Sequence, residues 1–101
     1  MQEPILRKLF LGFVQLHILH HAKKEPFFGS WMIGELSSHG YQISAGTLYP
    51  ILHGLEKEGL LSVENRLEGG KVRKYYAITV AGEAVLAQGA EKAGELMREL
   101  K

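Results

Sequence analysis

The hydrophobic period of the chain changes at Gly59, and this change restricts the fold more than any other feature. Before Gly59, apolar residues recur at helical spacing, at Leu48, Ile51, Leu52 and Leu55. After it, two alternating runs flank the adjacent glycines Gly69 and Gly70, and such a pair favours a hairpin because tight hairpin turns need positive φ. The pattern predicts a helix that ends near Gly59, followed by a two-stranded hairpin.

Two more helices are expected before this segment. The first covers residues 4–24, and Pro26 stops it. Ser30 can cap a short second helix that Gly40 ends, and after a tight turn Ser44 can cap the third helix. Two helices joined by a turn of a few residues outline a helix-turn-helix.

A last helix is expected to begin after Thr79, which can cap it, and to run to the C-terminus. Its apolar residues form a heptad seam, at Leu86, Ala90, Ala93, Met97 and Leu100. We expect this seam to pack against the first helix of a second subunit, at Leu9 and Phe13. Packing against its own domain is the alternative. A dimer would add stability, because 101 residues form only one core of modest size.

The order helix, helix, helix, hairpin, helix predicts a mainly α fold with a small β-hairpin, a winged helix-turn-helix plus a C-terminal dimerisation helix. We assign the winged-helix domain to residues 1–78 and the dimerisation helix to residues 79–101, within the same compact unit. The composition, 46% hydrophobic and 23% charged, is typical of a soluble globular protein.

The third helix is the candidate for contact with DNA, because the second helix of a helix-turn-helix enters the major groove. Its outward face is polar, and we expect its contacts with DNA at Ser44, Gly46, Thr47, Tyr49, Pro50 and His53. Hydroxyls and helix N-terminal N–H groups suit phosphate, whereas no Arg or Gln is placed for a bidentate base contact. Pro50 removes one helical hydrogen bond, which either shapes the tip for DNA or is tolerated between Leu48 and Leu52.

The charge is concentrated on the hairpin. A net charge of +1 does not by itself predict a nucleic-acid binder. Residues 66–76, however, carry four basic side chains against one acid. In a wing beside the third helix, we expect contacts with phosphate or the minor groove from Lys71, Arg73, Lys74 and Tyr75. The alternative is a solvated hairpin whose charges only prevent edge pairing.

Two motifs together resemble those of the PadR family of bacterial transcriptional regulators. The first is Gly46-Thr47-Leu48-Tyr49-Pro50, and the second, about two dozen residues on, is Arg73-Lys74-Tyr75-Tyr76. The resemblance extends from the first helix to the start of the last. It implies that residues 1–78 form a DNA-binding domain, with Ser44, Thr47, Tyr49 and Pro50 at the DNA-reading tip.

The resemblance also implies a homodimeric repressor of double-stranded DNA, on an operator with two-fold symmetry. The first and last helices would form the dimer interface, and a small aromatic or hydrophobic effector would relieve repression. The short last helix is similar to that of the compact subgroup. Because Trp31 is the only tryptophan, an effector site built on a C-terminal tryptophan is not expected.

Other functional classes find little support in the sequence. The absence of cysteine excludes disulfides and Cys-based zinc sites. Nothing resembles a signal peptide, and no apolar stretch is long enough to span a bilayer, so we expect a cytoplasmic protein without membrane contact. No nucleophilic Cys, Gly-rich phosphate loop after a strand, or HExxH motif occurs. We therefore predict no enzyme activity and assign no cofactor.

Two alternatives to a DNA-binding regulator stay open at this point. A winged helix can bind protein instead of DNA, which would need an apolar outer face on the third helix. A metal-responsive regulator is the other, because His17, His20 and His21 lie at i, i+3 and i+4 on the first helix. His17 and His21 could chelate one ion from the same face, with a third ligand from His39 or a partner subunit. Since solvated or partly buried histidines explain the spacing equally, we assign no metal ligand.

Overall fold

The computed structural model describes residues 3–101. Within that range the chain forms four helices: α1 (Pro4–Lys24), α2 (Gly29–Ser38), α3 (Ala45–Lys57) and α4 (Val80–Leu100). It also forms three strands: β1 (Phe27–Phe28), β2 (Leu61–Glu68) and β3 (Lys71–Ile78). The mainly α winged helix-turn-helix with a small hairpin is confirmed.

The hairpin is part of an antiparallel sheet with strand order β1-β3-β2. Gly69 and Gly70 connect β2 to β3 with φ values of 56° and 80°, the positive values that a two-residue hairpin turn needs. Strand β1 was not expected from the sequence. It contains only Phe27 and Phe28, which pair with Tyr76 and Tyr75, and two residues are too few to display an alternating pattern.

The core lies between the helices and one face of the sheet. The predicted stripe of α3 is buried at Leu48, Leu52 and Leu55, while Ile51 is half-buried. These side chains share the core with residues from α1, α2 and the strands, namely Val14, Ile18, Leu19, Ala22, Phe27, Met32, Leu36, Leu61 and Tyr76. The third helix is therefore anchored on one side and free on the other.

The helix caps differ in part from those expected. Helix α2 begins at Gly29, one residue before Ser30, so Ser30 is not its cap. The cap position falls to Phe28, whose extended backbone belongs to β1. Ser44 does occupy the cap position of α3, but its hydroxyl donates to Oγ1 of Thr47 at 3.3 Å instead of bonding a backbone N–H. Gly40 ends the segment after α2 with φ 88°, as expected.

Helix α4 is fixed at its start. The hydroxyl of Thr79 accepts from the backbone N of Gly82 at 3.0 Å, which confirms the predicted cap. The same hydroxyl donates to the carbonyl of Gly59 at 2.6 Å and so ties α4 to the end of the α3 region.

Helix α4 then passes α1 of its own chain. A Cβ at Gly89 would lie 2.6 Å from Cδ2 of Leu16, so this glycine permits the close approach. Leu86 packs against the core of the same chain. Within the predicted seam, Leu86 thus packs on its own domain, whereas Ala90, Met97 and Leu100 stay exposed.

Candidate nucleic-acid interface

The exposed side of α3 presents most of the residues that the sequence singled out on this helix. Ser44, Gly46, Pro50 and His53 are exposed and Thr47 is half-buried. They lie opposite Leu48 and Leu52, which are fully buried. Helix α3 continues through Pro50. Because Pro50 has no N–H to offer, the Gly46 carbonyl lacks its usual helical partner at this solvent-exposed tip.

Tyr49 lies at the edge of this face and rests on the start of α2. A Cβ on Gly29 would lie 2.5 Å from Oη of Tyr49 and 2.6 Å from its ring. Only a residue without a side chain therefore allows the ring to lie there. The aromatic ring of α3 and the N-terminal turn of α2 form one continuous surface.

The register of the hairpin divides the predicted wing residues between two faces. Side chains alternate along a strand, so Lys71, Arg73 and Tyr75 lie on one face of β3 and Lys74 on the other. Lys74 shares its face with Tyr76, which enters the core. The four candidates therefore do not share a single face of the hairpin.

A groove of about 420 Å³ lies where α3, the start of α2 and β3 meet. Its described lining residues are Phe28, Gly29, Ser30, Tyr49, Val72, Arg73, Lys74 and Tyr76. This set includes no carboxylate. Lys74 is its free cation, whereas the guanidinium of Arg73 lies over the Phe28 ring and its Nε is 3.7 Å from Oε1 of Glu68. The groove thus joins one candidate of the third helix, Tyr49, to two candidates of the wing.

Tyr75 is engaged on the opposite face of the sheet. Its hydroxyl donates to Glu68 at 2.8 and 3.0 Å, and this hydrogen bond raises the pKa of Tyr75. The guanidinium of Arg66 lies 4.1 Å from the Tyr75 ring centroid, and that of Arg73 lies 4.2 Å from the Phe28 ring. These contacts hold the tyrosine and both arginines against the hairpin.

Ser30 is the groove residue that the sequence reading missed. It is exposed in the first turn of α2 and lines the groove beside Tyr49. The sequence signal was present, because a serine stood at the predicted start of a helix, but that signal was interpreted as a cap. The close approach of Gly29 to Tyr49 had no local signal, since the two residues lie on different helices.

A second group of polar side chains lies away from this groove, between α1 and the end of α2. His17, His21 and His39 each offer a ring nitrogen, and these atoms all lie within 4.8 Å of one another. His20, which the sequence grouped with them, is exposed and outside this set. Within residues 3–101 this is the one group whose geometry could hold a metal ion.

Burial is the main influence on the pKa values of His17 and His21. It lowers the pKa of His17, and the charges of His39 and His20 lower it further, against an opposing effect of Glu35. Burial also lowers the pKa of His21, again opposed by Glu35. Both rings therefore favour the neutral form more than a free histidine does.

No helix between residues 3 and 101 combines the length and the apolar character needed to cross a bilayer.

Comparison with known proteins places this architecture in a family. Residues 18–88 match the family described as "Transcriptional regulator PadR-like family". The transcriptional regulator Rv3488 of Mycobacterium tuberculosis is 46% identical over 95 residues, which cover 94% of this chain and 89% of that protein.

Solved structures agree with this match. The crystal structure of a PadR family transcriptional regulator from Eggerthella lenta superposes with a TM-score of 0.83 at 33% identity, over 96% of this chain and 86% of that one. A PadR-like transcriptional regulator from Bacillus cereus gives a TM-score of 0.84 at 27% identity, over 92% of each chain. These proteins are named as regulators and not as enzymes, in agreement with the prediction. The matched segment includes the third helix and the wing, and the chain therefore belongs to the PadR-like family of transcriptional regulators.

Proposed function

We propose that this chain regulates transcription by binding double-stranded DNA as a homodimer. The groove between α3 and the wing carries the proposal, because it places the cation Lys74 beside an exposed helix face, with no carboxylate among its described lining residues. A DNA backbone is uniformly negative, so a surface of this charge attracts it. From this function we expect the protein to act in the cytoplasm.

In the proposed complex, α3 enters the major groove. Its exposed tip, from Ser44 to His53, faces base edges and phosphates. Lys74 lines the same groove as Tyr49 and contacts the flanking DNA phosphates. Ser30, in the same groove, offers an additional hydroxyl donor. Lys71, at the end of the hairpin opposite Glu68, reaches the adjacent minor groove or its phosphates. Tyr75 serves this interface indirectly, by holding Glu68 and Arg66 on the far face.

Exposed apolar side chains on two helices support the dimer. Those on α1 are Ile5, Leu6, Leu9 and Phe13. Those on the second half of α4 are Leu96, Met97 and Leu100. Contiguous apolar surface of this kind marks an interaction site. In a two-fold dimer the α4 face of one subunit covers the α1 face of its partner, with Ala90 and Ala93 permitting close approach.

Dimer geometry then defines the operator. Two copies of α3 related by a two-fold axis read half-sites separated by about 34 Å, one turn of DNA. Binding of this kind represses transcription when the operator overlaps a promoter. A small apolar effector would relieve repression by binding more tightly to the dimer that is off DNA, since a ligand shifts an equilibrium only through such a difference. The shallow groove among Phe13, Leu16, Leu86 and Ala90, next to the proposed interface, is a suitable place for it.

Binding to DNA from upstream of the protein's own gene tests the proposal. Fluorescence anisotropy with this duplex and with a scrambled duplex of equal length should give at least about a thousandfold difference in affinity, as expected for a specific regulator. Absence of binding to either duplex at low salt would contradict the proposal and would favour a winged helix that binds protein.

A further inference from the structure

The histidine group between α1 and α2 is assembled from two separate parts of the chain. His17 and His21 lie one turn apart on α1 and project from the same side. His39 is the residue after α2, and Glu35 lies one turn before it. The fold thus gathers three imidazoles and one carboxylate that the sequence separates.

One member of this group lacks the partner that a buried polar atom normally has. Nε2 of His21 is buried without a hydrogen bond. Oε2 of Glu35 lies 3.3 Å away, but not in hydrogen-bonding geometry. The same carboxylate oxygen is 3.1 Å from Nε2 of His39. Buried polar atoms are rarely left unpaired unless a water, an ion or a functional constraint accounts for them.

We propose that His17, His21 and His39 bind one divalent transition-metal ion of the Zn²⁺ type through their ring nitrogens, with Glu35 as the adjacent carboxylate. Imidazole nitrogen suits Zn²⁺, Ni²⁺ and Co²⁺, whereas Mg²⁺ and Ca²⁺ require oxygen ligands. The nitrogens are within 4.8 Å of one another. Bonds of about 2.0–2.1 Å to Zn²⁺ place ligand atoms roughly 3.4 Å apart, and small side-chain rotations close that difference.

Glu35 fits the role of a supporting carboxylate. Metal-binding histidines almost always donate their second ring N–H to a carboxylate or carbonyl, which fixes the ring and raises its basicity. Glu35 is placed to accept from His39 and adds a negative charge beside His21. An exposed position, such as that of His39, gives the ion access from solvent.

Zinc titration by isothermal calorimetry tests the site directly, without DNA. The wild type should bind one Zn²⁺ per chain, and its melting temperature should rise with Zn²⁺ but not with Mg²⁺, because a ligand of the folded state stabilises it. His39→Ala should weaken binding by on the order of tenfold or more. His39 is exposed, so this variant should fold, and the melting curve without metal verifies that. Glu35→Gln should weaken binding by about tenfold.

His20→Ala is the matched control, because His20 is exposed on the same helix but outside the group. It should bind Zn²⁺ as the wild type does. No saturable binding to the wild type, or equal losses in His20→Ala and His39→Ala, would overturn the assignment.

The regulatory consequence of the site rests on the proposed function. The ion would join α1, which carries part of the proposed dimer face, to the end of α2, just before the turn into α3. Zn²⁺ should therefore change the affinity of the wild type for its operator and leave that of His39→Ala unchanged. Equal affinity with and without Zn²⁺ would overturn this regulatory role. Failure to bind DNA at all would contradict the proposed function and leave the calorimetric test of the site intact.

Discussion

At the scale of single residues, the contact between Tyr49 and Gly29 connects the third helix to the second. A methyl group at position 29 would overlap the Tyr49 ring, with 2.5 Å to its hydroxyl. Gly29→Ala should therefore displace the ring from the groove. Because the ring is free to rotate outward, we expect a stability change within about 1 kcal/mol. The Tyr49 hydroxyl would then lose its proposed hydrogen bond to DNA, and this loss should weaken DNA binding by roughly three- to tenfold.

Gly34→Ala is the control for this prediction. Gly34 lies in the same helix, and nothing is within 4 Å of a Cβ built there. Its replacement should raise stability by about 0.5–1 kcal/mol through helix propensity and leave DNA affinity unchanged. Anisotropy and urea denaturation measure both effects. Equal DNA affinities for Gly29→Ala and the wild type would show that the Tyr49 position is unimportant for binding.

At the scale of elements, the attachment of α4 depends on Gly82. A Cβ there would collide with the backbone carbonyl of Leu60 and lie 2.7 Å from Cγ1 of Ile78. Because backbone atoms cannot move aside as a side chain can, Gly82→Ala should lower the free energy of unfolding by about 1–3 kcal/mol or more. Urea denaturation of this variant beside Gly34→Ala measures the cost. A variant as stable as the wild type would contradict the described packing of α4.

Local signals were sufficient for most of the elements. The stripe of α3, the cap at Thr79 and the hairpin at Gly69 and Gly70 are each encoded within a few neighbouring residues, and all three are present. Strand β1 forms because Phe27 and Phe28 pair with Tyr76 and Tyr75 of β3. Two aromatic residues alone do not predict such a strand. The start of α2 was misplaced by two residues, because serine is a typical cap residue but the chain passes directly from β1 into the helix, with Phe28 at the cap position.

The candidate sites were only partly predictable for the same reason. The division of Lys74 and Tyr75 between two faces follows from strand alternation and was available from the sequence. The approach of Gly29 to Tyr49, and of His39 to His17, brings together residues of different elements. Helical spacing did predict the pair His17 and His21, but it also grouped them with His20, which is exposed, and it left the third ligand open between His39 and a partner subunit. Contacts between elements depend on how the helices pack, which no single segment encodes.

At the scale of the whole molecule, the exposed apolar faces of α1 and α4 predict a dimer. Leu9→Glu should raise the dimer dissociation constant by about tenfold or more, because it buries a charge in an apolar interface. Leu67→Glu is the control, since Leu67 is also exposed, at 75% against 47% for Leu9, but lies on the wing. Analytical ultracentrifugation over a range of concentrations measures both. A monomeric wild type at all concentrations would contradict the proposed dimer.

The salt dependence of DNA binding tests the central claim, that the groove between α3 and the wing grips the DNA backbone. For the wild type, the logarithm of affinity should fall linearly with the logarithm of salt concentration, with a slope of about −0.9 per phosphate contact. Lys74→Ala should make this slope shallower by about 1. Lys92→Ala removes the same charge from α4, where Lys92 pairs with Glu95, and should retain the wild-type slope. Identical slopes for the wild type and Lys74→Ala would contradict the claim.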